Sequence, residues 1–417
     1  MLAWLVVRDT DIEQWVAEAP EQVDLTLPEQ DTWVRSVASR IEAACDTAAD
    51  ARLLEERYQD TPVLLRLAMK LAQSRLYLRG HAGALRVSVV FAVYKEHHRL
   101  RTREEHPHGE NSLVRKVEQL DWLCGDLPNV RWDMLVVDDG CPEQSGAIAQ
   151  EIIDANDLSQ QVRVLFLQDA IDQGHPMARG IATTRDSQKG GSIEYGMSVA
   201  AGDGSPDHVV VFTDADLSTH LGQVGLLLDP IIAHGFDVAI GSRRQPLSVV
   251  IKGGSRNARG KLFIYLWKRL IPVLSPIVDT QCGFKAFRGD VAKEVVVDTV
   301  EKRFAFDIEL LVRAELRRRG SIHQVPVAWI DSEAASTTTE LQPYLSMLQS
   351  LVRIAQRYLP TDDEAEGFAA LIESLDDESW ARLSNHVPTE IAEREPRTFD
   401  EFDEVSPDAL SRIARGG

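Results

Sequence analysis

Cysteine is scarce in this 417-residue chain: Cys45, Cys124, Cys141 and Cys282 are the four, and no two stand in a CxxC pair. That usage excludes a disulfide framework and a cysteine zinc site, and it predicts a reduced, cytoplasmic setting. Basic residues are also few: Lys and Arg number 45 against 65 Asp and Glu, a formal net charge of −20. A chain so acidic lacks the broad basic face that general nucleic-acid binding needs. Long apolar runs are missing, for no stretch reaches the roughly 18 uncharged apolar residues of a membrane-spanning helix. The best run, residues 262–278, is broken by Lys268, Arg269, Pro272 and Pro276. The opening residues, MLAWLVVRDTD, have neither a basic start nor a cleavage site, so no signal peptide is expected. There is no internal repeat and no low-complexity tract.

What remains is ordinary for a soluble globular protein, with 44% hydrophobic and 26% charged residues. The length predicts two to three domain-sized units. Residues 1–84 read as a helical extension after a short strand at 2–7. Val34, Val37, Ile41 and Ala44 recur at helical spacing, and a second helix is expected over 62–77. Residues 85–360 form the central unit. Residues 361–417 make an acidic tail with short helices, carrying 16 acidic and 5 basic side chains. Such a tail is read either as a solvated appendage or as an interaction arm.

The central unit alternates apolar runs with helical stretches, which predicts a βαβ sheet with right-handed crossovers. The most informative run is VVVFTDADLST at 209–219, a buried strand running into Asp214-Ala215-Asp216. Other runs end in Tyr94-Lys95-Glu96, in Asp138-Asp139-Gly140 and in Ser242-Arg243. Strand ends of a parallel sheet share one edge, so these groups converge on one crevice. Two carboxylates one residue apart can grip a hard divalent cation and the phosphates attached to it. A single acidic turn is commonplace; four aligned polar ends point to a catalytic or nucleotide-binding edge.

Farther on, Lys252, Arg256 and Arg259 are spaced to share one helix face suited to a phosphate. The following run, 262–274, is expected either to lie at a membrane interface or to pack on the protein's own core. Residues 279–290, DTQCGFKAFRGD, read as an ordered loop with short strands, and 321–330 as a further strand. Asp307 and Glu309 open a helix, where acidic residues also serve as caps. His97, His98, His106 and His108 sit in a charged segment and are read as a solvated face.

Taken in order, VVFAVYKE, LVVDDG, KGGSIEYG, TDADLST, AIGSRR, DTQCGFKAF and RFAFDIELL resemble the motifs of family 2 glycosyltransferases of the GT-A fold. The likeness covers residues 86–358 and is strongest to the dolichyl-phosphate β-glucosyltransferases and related polyprenyl-phosphate hexosyltransferases. It implies an α/β fold, a mostly parallel sheet with helices on both faces. It implies that Ala92, Tyr94 and Glu96 line a nucleotide pocket, that Asp138 or Asp139 reads the base, and that Lys189 approaches the nucleotide or its phosphates. Asp214 then contacts ribose or metal, and Asp216 holds Mg²⁺ or Mn²⁺ on the diphosphate. Arg243, with Lys252, Arg256 and Arg259, receives the acceptor phosphate; Gln281 borders the sugar; Asp307 is the candidate base or acceptor-positioning group. The implied reaction is metal-dependent and inverting. It moves a hexose from UDP-glucose, or from GDP-mannose, to a polyprenyl phosphate, with peripheral membrane contact possible. Two other readings stay open: a soluble or protein-borne acceptor, and a non-catalytic nucleotide-sugar-binding scaffold. Lys95 stands where the family usually has asparagine, and about twenty residues, 169–188, precede Lys189 where relatives have a tight loop.

Overall fold

The computed structural model describes residues 7–202, 204–205, 207–251, 257–331, 344–360, 362–401 and 405–416. The strand expected at 2–7 lies outside them save for Val7. Apolar, β-branched runs build seven strands of one sheet: β1 (Leu85–Val93), β2 (Val130–Asp138), β3 (Val162–Phe166), β4 (His208–Thr213), β5 (Val238–Ser242), β7 (Phe284–Arg288) and β8 (Ile322–Pro326). Their order is β3-β2-β1-β4-β7-β5-β8, and every pairing is parallel except those of β7. A second, two-stranded sheet joins β6 (Val249–Ile251) to β9 (Ala328–Ile330). The single strand expected over 321–330 is thus two strands in two sheets, parted at Val327.

Strand alternation sends side chains to two faces, and each face has its own core. Val90, Leu135, Val137 and Phe212 pack under the helices Gly190–Ala201, Asn257–Leu270 and Phe306–Arg317. Val89, Phe91, Val136 and Val211 pack under Ser112–Cys124 and Val224–Ile232. Burying both faces explains why these strands read as unbroken apolar runs. The arrangement is a mixed α/β fold with a mostly parallel sheet flanked by helices, in keeping with GT-A.

The amino-terminal helices Asp9–Glu18, Pro28–Ala44, Ala48–Arg57 and Val63–Gly80 share a core with the small β6–β9 sheet. The helix Asn257–Leu270 does not face outward. Leu262, Tyr265, Leu266 and Trp267 are fully buried, in a core that also takes Phe368, Trp380, Leu383, Ile391, Phe399 and Leu410 from the acidic tail. Polar groups fasten the same contact. Tyr265 Oη donates to the Val405 carbonyl at 2.8 Å, Lys261 Nζ to Ala392 O at 2.9 Å, and Arg269 Nη2 to Phe399 O at 3.1 Å. Of the alternatives raised by the sequence, core packing holds for 262–274. The tail's apolar residues make it part of that packing and not a solvated appendage.

Candidate active site

Register places the crevice. Val93 at the end of β1 pairs with Asp138 at the end of β2, and Thr213 at the end of β4 pairs with Phe284 of the antiparallel β7. Because β7 runs backwards, the loop that feeds it, 279–283, reaches the same edge as Asp214. A Cβ added at Gly283 would lie 2.2 Å from Asp214 Oδ2, so only glycine admits this approach.

Asp214 is paired with Lys189, whose ammonium donates to Oδ1. Burial pushes Asp214 up, but Lys189, Lys285 and Lys116 outweigh it and hold the carboxyl below its usual range. Lys189 is itself pushed above its ordinary value, the Asp214 charge overcoming burial. The Lys189 backbone sits at φ 90°, in the left-handed region that costs a non-glycine residue roughly 1–3 kcal/mol. Its amide donates to Asp139 Oδ2 at 2.6 Å. The helix after it begins Gly190-Gly191, and a Cβ at Gly190 would meet Arg303 O at 2.5 Å. The strained turn thus aims the lysine at the end of β4.

The β2 end is occupied by loop construction. Asp138 accepts from the amides of Gly140, Cys141 and Gly146 at 2.9, 3.0 and 2.7 Å. Asp139 accepts from Ser192 Oγ at 2.6 Å as well as from Lys189 N, and burial raises its pKa in spite of these bonds. At the β1 end, Tyr94 is exposed and Ala92 half-buried. Glu96 takes a 2.5 Å bond from Arg99, which also donates to Glu110 at 3.0 Å. Burial raises the Glu96 carboxyl. It opposes the Arg99 charge too, yet Glu96, Asp216 and Glu110 keep that guanidinium above its ordinary value.

Asp216 is half-buried, and its Oδ1 accepts from the Ser218 amide at 3.1 Å. Its main-chain carbonyl takes a 2.6 Å bond from Lys116 Nζ. Lys116 is wholly enclosed, and burial pulls its pKa down to about 8. Sequence reasoning missed this residue. The signal was present: Lys116 falls on the buried helical stripe of Leu113, Val117, Leu120 and Cys124.

Asp307 lies in the first turn of its helix, near enough to Lys189 for its charge to act there. Its Oδ1 accepts from Gln281 Nε2 at 2.8 Å and its Oδ2 from the buried Lys285 Nζ at 2.9 Å. Lys285 also lies 5.1 Å above the Phe212 ring. Glu309, by contrast, caps the 300–301 turn, accepting from Val300 N at 2.8 Å and Glu301 N at 2.7 Å. Arg243 is fully engaged by Asp279: its amide and Nε donate to Oδ2 at 2.8 Å and Nη2 to Oδ1 at 2.7 Å. Burial works against both charges, but the pairing holds Asp279 down at about 2 and raises Arg243.

Lys252 and Arg256 lie outside the described residues. Arg259 turns to the tail and donates to Asn385 Oδ1 at 2.5 Å. Part of 169–188 folds over the β2 loop, since a Cβ at Gly140 would strike Thr184 Oγ1 at 2.1 Å. His98 and His106 stack at 3.6 Å, with His97 3.8 Å from His98 and His108 5.6 Å from His106. Among the described residues no three His, Cys, Asp or Glu side chains form a metal-holding group, and no helix is long and apolar enough to cross a membrane.

Residues 112–295 match the family model described as glycosyl transferase family 2. A glycosyltransferase of Haloferax volcanii is 26% identical over 248 residues, 60% of this chain and 34% of the relative, so the chain spans about a third of that protein. A dolichyl-phosphate beta-glucosyltransferase of Trichomonas vaginalis is 27% identical over 281 residues, 65% of this chain and 73% of the relative. The dolichyl-phosphate beta-glucosyltransferase of Homo sapiens is 28% identical over 284 residues, 66% of this chain and 76% of the relative. With a sheet whose carboxyl edge gathers Asp138, Asp214, Asp216 and Asp307, residues 112–295 match glycosyl transferase family 2, and the chain resembles the dolichyl-phosphate beta-glucosyltransferases.

Proposed function

We propose that the protein transfers a hexose from a nucleotide sugar to a polyprenyl phosphate, with inversion at the anomeric carbon and with glucose from UDP-glucose as the favoured donor. GDP-mannose is the other donor considered. The observation that carries this reading is the strand-end cluster in which Asp214–Lys189 and Asp216 adjoin Gln281–Asp307–Lys285. The first group suits the donor and the second the sugar and acceptor.

Asp216 suits a divalent cation. Its carboxylate is a hard oxygen donor, partly open, whereas Asp214 already has its charge matched by Lys189. Mg²⁺ or Mn²⁺ typically needs only one or two carboxylates when substrate phosphates complete the shell, so a closed cage is not required. Such an ion neutralises the diphosphate as it leaves. Lys189 adds positive charge at the same edge, aimed at developing negative charge. Ala92, Tyr94, Glu96, Asp138 and Asp139 border the nucleoside on this reading, while Arg243, oriented by Asp279, and Arg256 are the acceptor-side candidates; Arg259, bonded to Asn385 of the tail, could serve there only on leaving it.

Each Asp307 oxygen accepts one hydrogen bond, from Gln281 or from Lys285, so the carboxylate is held in a fixed orientation. A hydroxyl acceptor needs a base to take its proton. A phosphate acceptor arrives ionised and needs none. Asp307 then orients Gln281 at the sugar and Lys285 beneath it, and the acceptor oxygen displaces the diphosphate in one step.

The test is purified protein with Mn²⁺, UDP-glucose or GDP-mannose, and a polyprenyl phosphate in detergent or membranes. A β-linked lipid phosphohexose is expected, lost in Asp216→Ala. No transfer from either donor would sink the reading, and an α product would sink the single displacement.

One observation favours the same donor chemistry on a soluble or protein-borne acceptor. The apolar face of Asn257–Leu270, the segment suited to a membrane surface, is buried under the tail. Full turnover with a water-soluble acceptor, without flotation on liposomes, is the outcome that would select it. The favoured reading instead has the protein on the cytoplasmic side, peripheral to the membrane.

A further inference from the structure

The turn from Asp214 to Gln223 is held from behind by groups that no part of the reaction uses. His220 is fully enclosed, and its Nε2 lies 2.7 Å from Asp31 Oδ1 on the amino-terminal helix Pro28–Ala44. His220 Nδ1 accepts from the Gly222 amide at 2.9 Å, which fixes the proton on Nε2 and makes the imidazole the donor to Asp31. The other Asp31 oxygen faces Arg35 at 2.9 Å and Arg115 at 3.6 Å. Arg115 also grips the amino-terminal region, donating to Thr26 O and Leu25 O at 3.0 Å each. The next residue, Lys116, holds the Asp216 carbonyl, and Gln119, one turn on, accepts from Leu221 N at 2.8 Å. From the helix Val63–Gly80, Ser74 Oγ accepts from Gly225 N at 2.8 Å.

Two lines of force therefore meet on one turn. The helix Ser112–Cys124 holds Asp216 directly through Lys116. The amino-terminal helices hold the turn's far end through Asp31 and hold that same helix through Arg115. All of these side chains are buried except that of Arg35, which is half-buried. Buried ion pairs return little net stability, because desolvation offsets their attraction. Their usual return is register, here the position of a turn bearing two carboxylates.

We propose that the amino-terminal helical region is a positioning element for catalysis, fixing the Asp214–His220 turn at the geometry the donor diphosphate requires, with Asp31 as its own positioning residue and Lys116 as the positioning residue of the helix Ser112–Cys124 that it grips through Arg115. The inference rests on the reading of Asp216 as the diphosphate side of the site. It predicts that the amino-terminal helices act on donor affinity without touching the donor.

The experiment uses full-length Asp31→Asn, Arg115→Met and Lys116→Met. Hydrogen exchange is followed in peptides spanning 214–222 and, as an internal standard, 85–93. Transfer kinetics with UDP-glucose, Mn²⁺ and polyprenyl phosphate give both KM values. Exchange at 214–222 is expected to quicken about tenfold with 85–93 unchanged, and donor KM to rise about tenfold with acceptor KM within about twofold. A merely structural role would lower the folded fraction and leave the two KM values alone. If Asp31→Asn does not fold, Arg115→Met decides, since it cuts the amino-terminal region's hold on the helix Ser112–Cys124 while an apolar side chain keeps the packing; Lys116→Met reads that helix's own hold on the turn. Unchanged exchange, or unchanged donor KM, in a folded variant overturns the proposal. If wild type turns over no donor, the functional reading fails, and exchange at 214–222 alone decides whether the amino-terminal helices hold the turn.

Discussion

Replacing Gly283 by alanine tests the closest contact at the site. The new Cβ would stand 2.2 Å from Asp214 Oδ2 and 2.4 Å from its Cγ. An ordinary carbon–oxygen contact is about 3.3 Å, so roughly 1 Å must be found. The β7 backbone cannot yield easily, because it is paired on both sides, to β4 and to β5. The Asp214 carboxylate must move, and doing so breaks its pairing with Lys189, whose backbone is already strained. Overpacking of this kind costs about 1–3 kcal/mol. At about 2–4 °C per kcal/mol for a domain of this size, the melting temperature should fall by about 2–12 °C. The larger effect is expected on turnover, since a 1 Å misplacement at a reacting centre costs up to about 100-fold. Gly260→Ala is the control: nothing stands within 4 Å of its Cβ, and the site is helical, so stability should hold or rise. Transfer kinetics beside a thermal melt separate the two effects. A Gly283→Ala protein that transfers within about threefold of wild type would refute the steric argument.

Three further outcomes follow from the pairings. Asp216→Asn should melt like wild type yet lose the rise in melting temperature that nucleotide sugar plus Mn²⁺ gives the wild type; an undiminished rise would exclude Asp216 as the ion's ligand. Arg243→Lys should lower stability by about 1–3 kcal/mol by losing the fork on Asp279. Asp279 is depressed to about 2, so its contribution is present above the ordinary carboxylate value of 3.8 and lost as pH falls towards 2. With the fork gone the folded value moves back towards 3.8, so this pH-dependent contribution should shrink, seen as a flatter loss of melting temperature between about pH 4 and 2. Glu194, buried beside Lys302 Nζ at 2.6 Å, is raised by burial to about 7. The folded state therefore holds that proton more tightly than the unfolded one. The stability it adds is complete below about pH 4.5 and lost as pH rises through 7, and Glu194→Gln should flatten that slope in melts across the window.

The parallel strands were legible because burial on both faces writes them as apolar runs, and their polar ends mark the edge where chain direction leaves the sheet. β7 was harder to read. Phe284–Arg288 is short, and nothing in five residues states which way a strand runs or which neighbours it inserts between. That depends on β4 and β5 offering unpaired edges, a tertiary fact. The tail misled in the opposite way. Its 16 acidic side chains set its net charge, yet Phe368, Leu371, Trp380, Leu383, Ile391 and Phe399 are buried. Charge sums over a segment erase its periodicity, and it is the periodic apolar positions that find the helix Asn257–Leu270, more than 90 residues earlier in the chain.

The site shows the same division between what a motif states and what packing decides. Asp-x-Asp gives two identical carboxylates, and the sequence alone offers no reason for them to differ. They differ because of groups from elsewhere. Lys189 arrives on a strained turn after β3 and matches the charge of Asp214; Gly283 comes from the loop before β7 and closes on the same carboxylate. Asp216 forms no ion pair through its carboxylate among the described residues: Lys116 bonds its main-chain carbonyl, Ser218 N donates to Oδ1, and Arg99 feels its charge from farther off, so the carboxylate stays open to a ligand. An acidic pair with both charges matched from within would bind no phosphate-bound cation, and one with neither matched would hold its two carboxylates apart by repulsion. One lysine on the first side chain and another on the second carbonyl leaves a single open carboxylate on a fixed turn, the arrangement that the proposed diphosphate with its cation would call for.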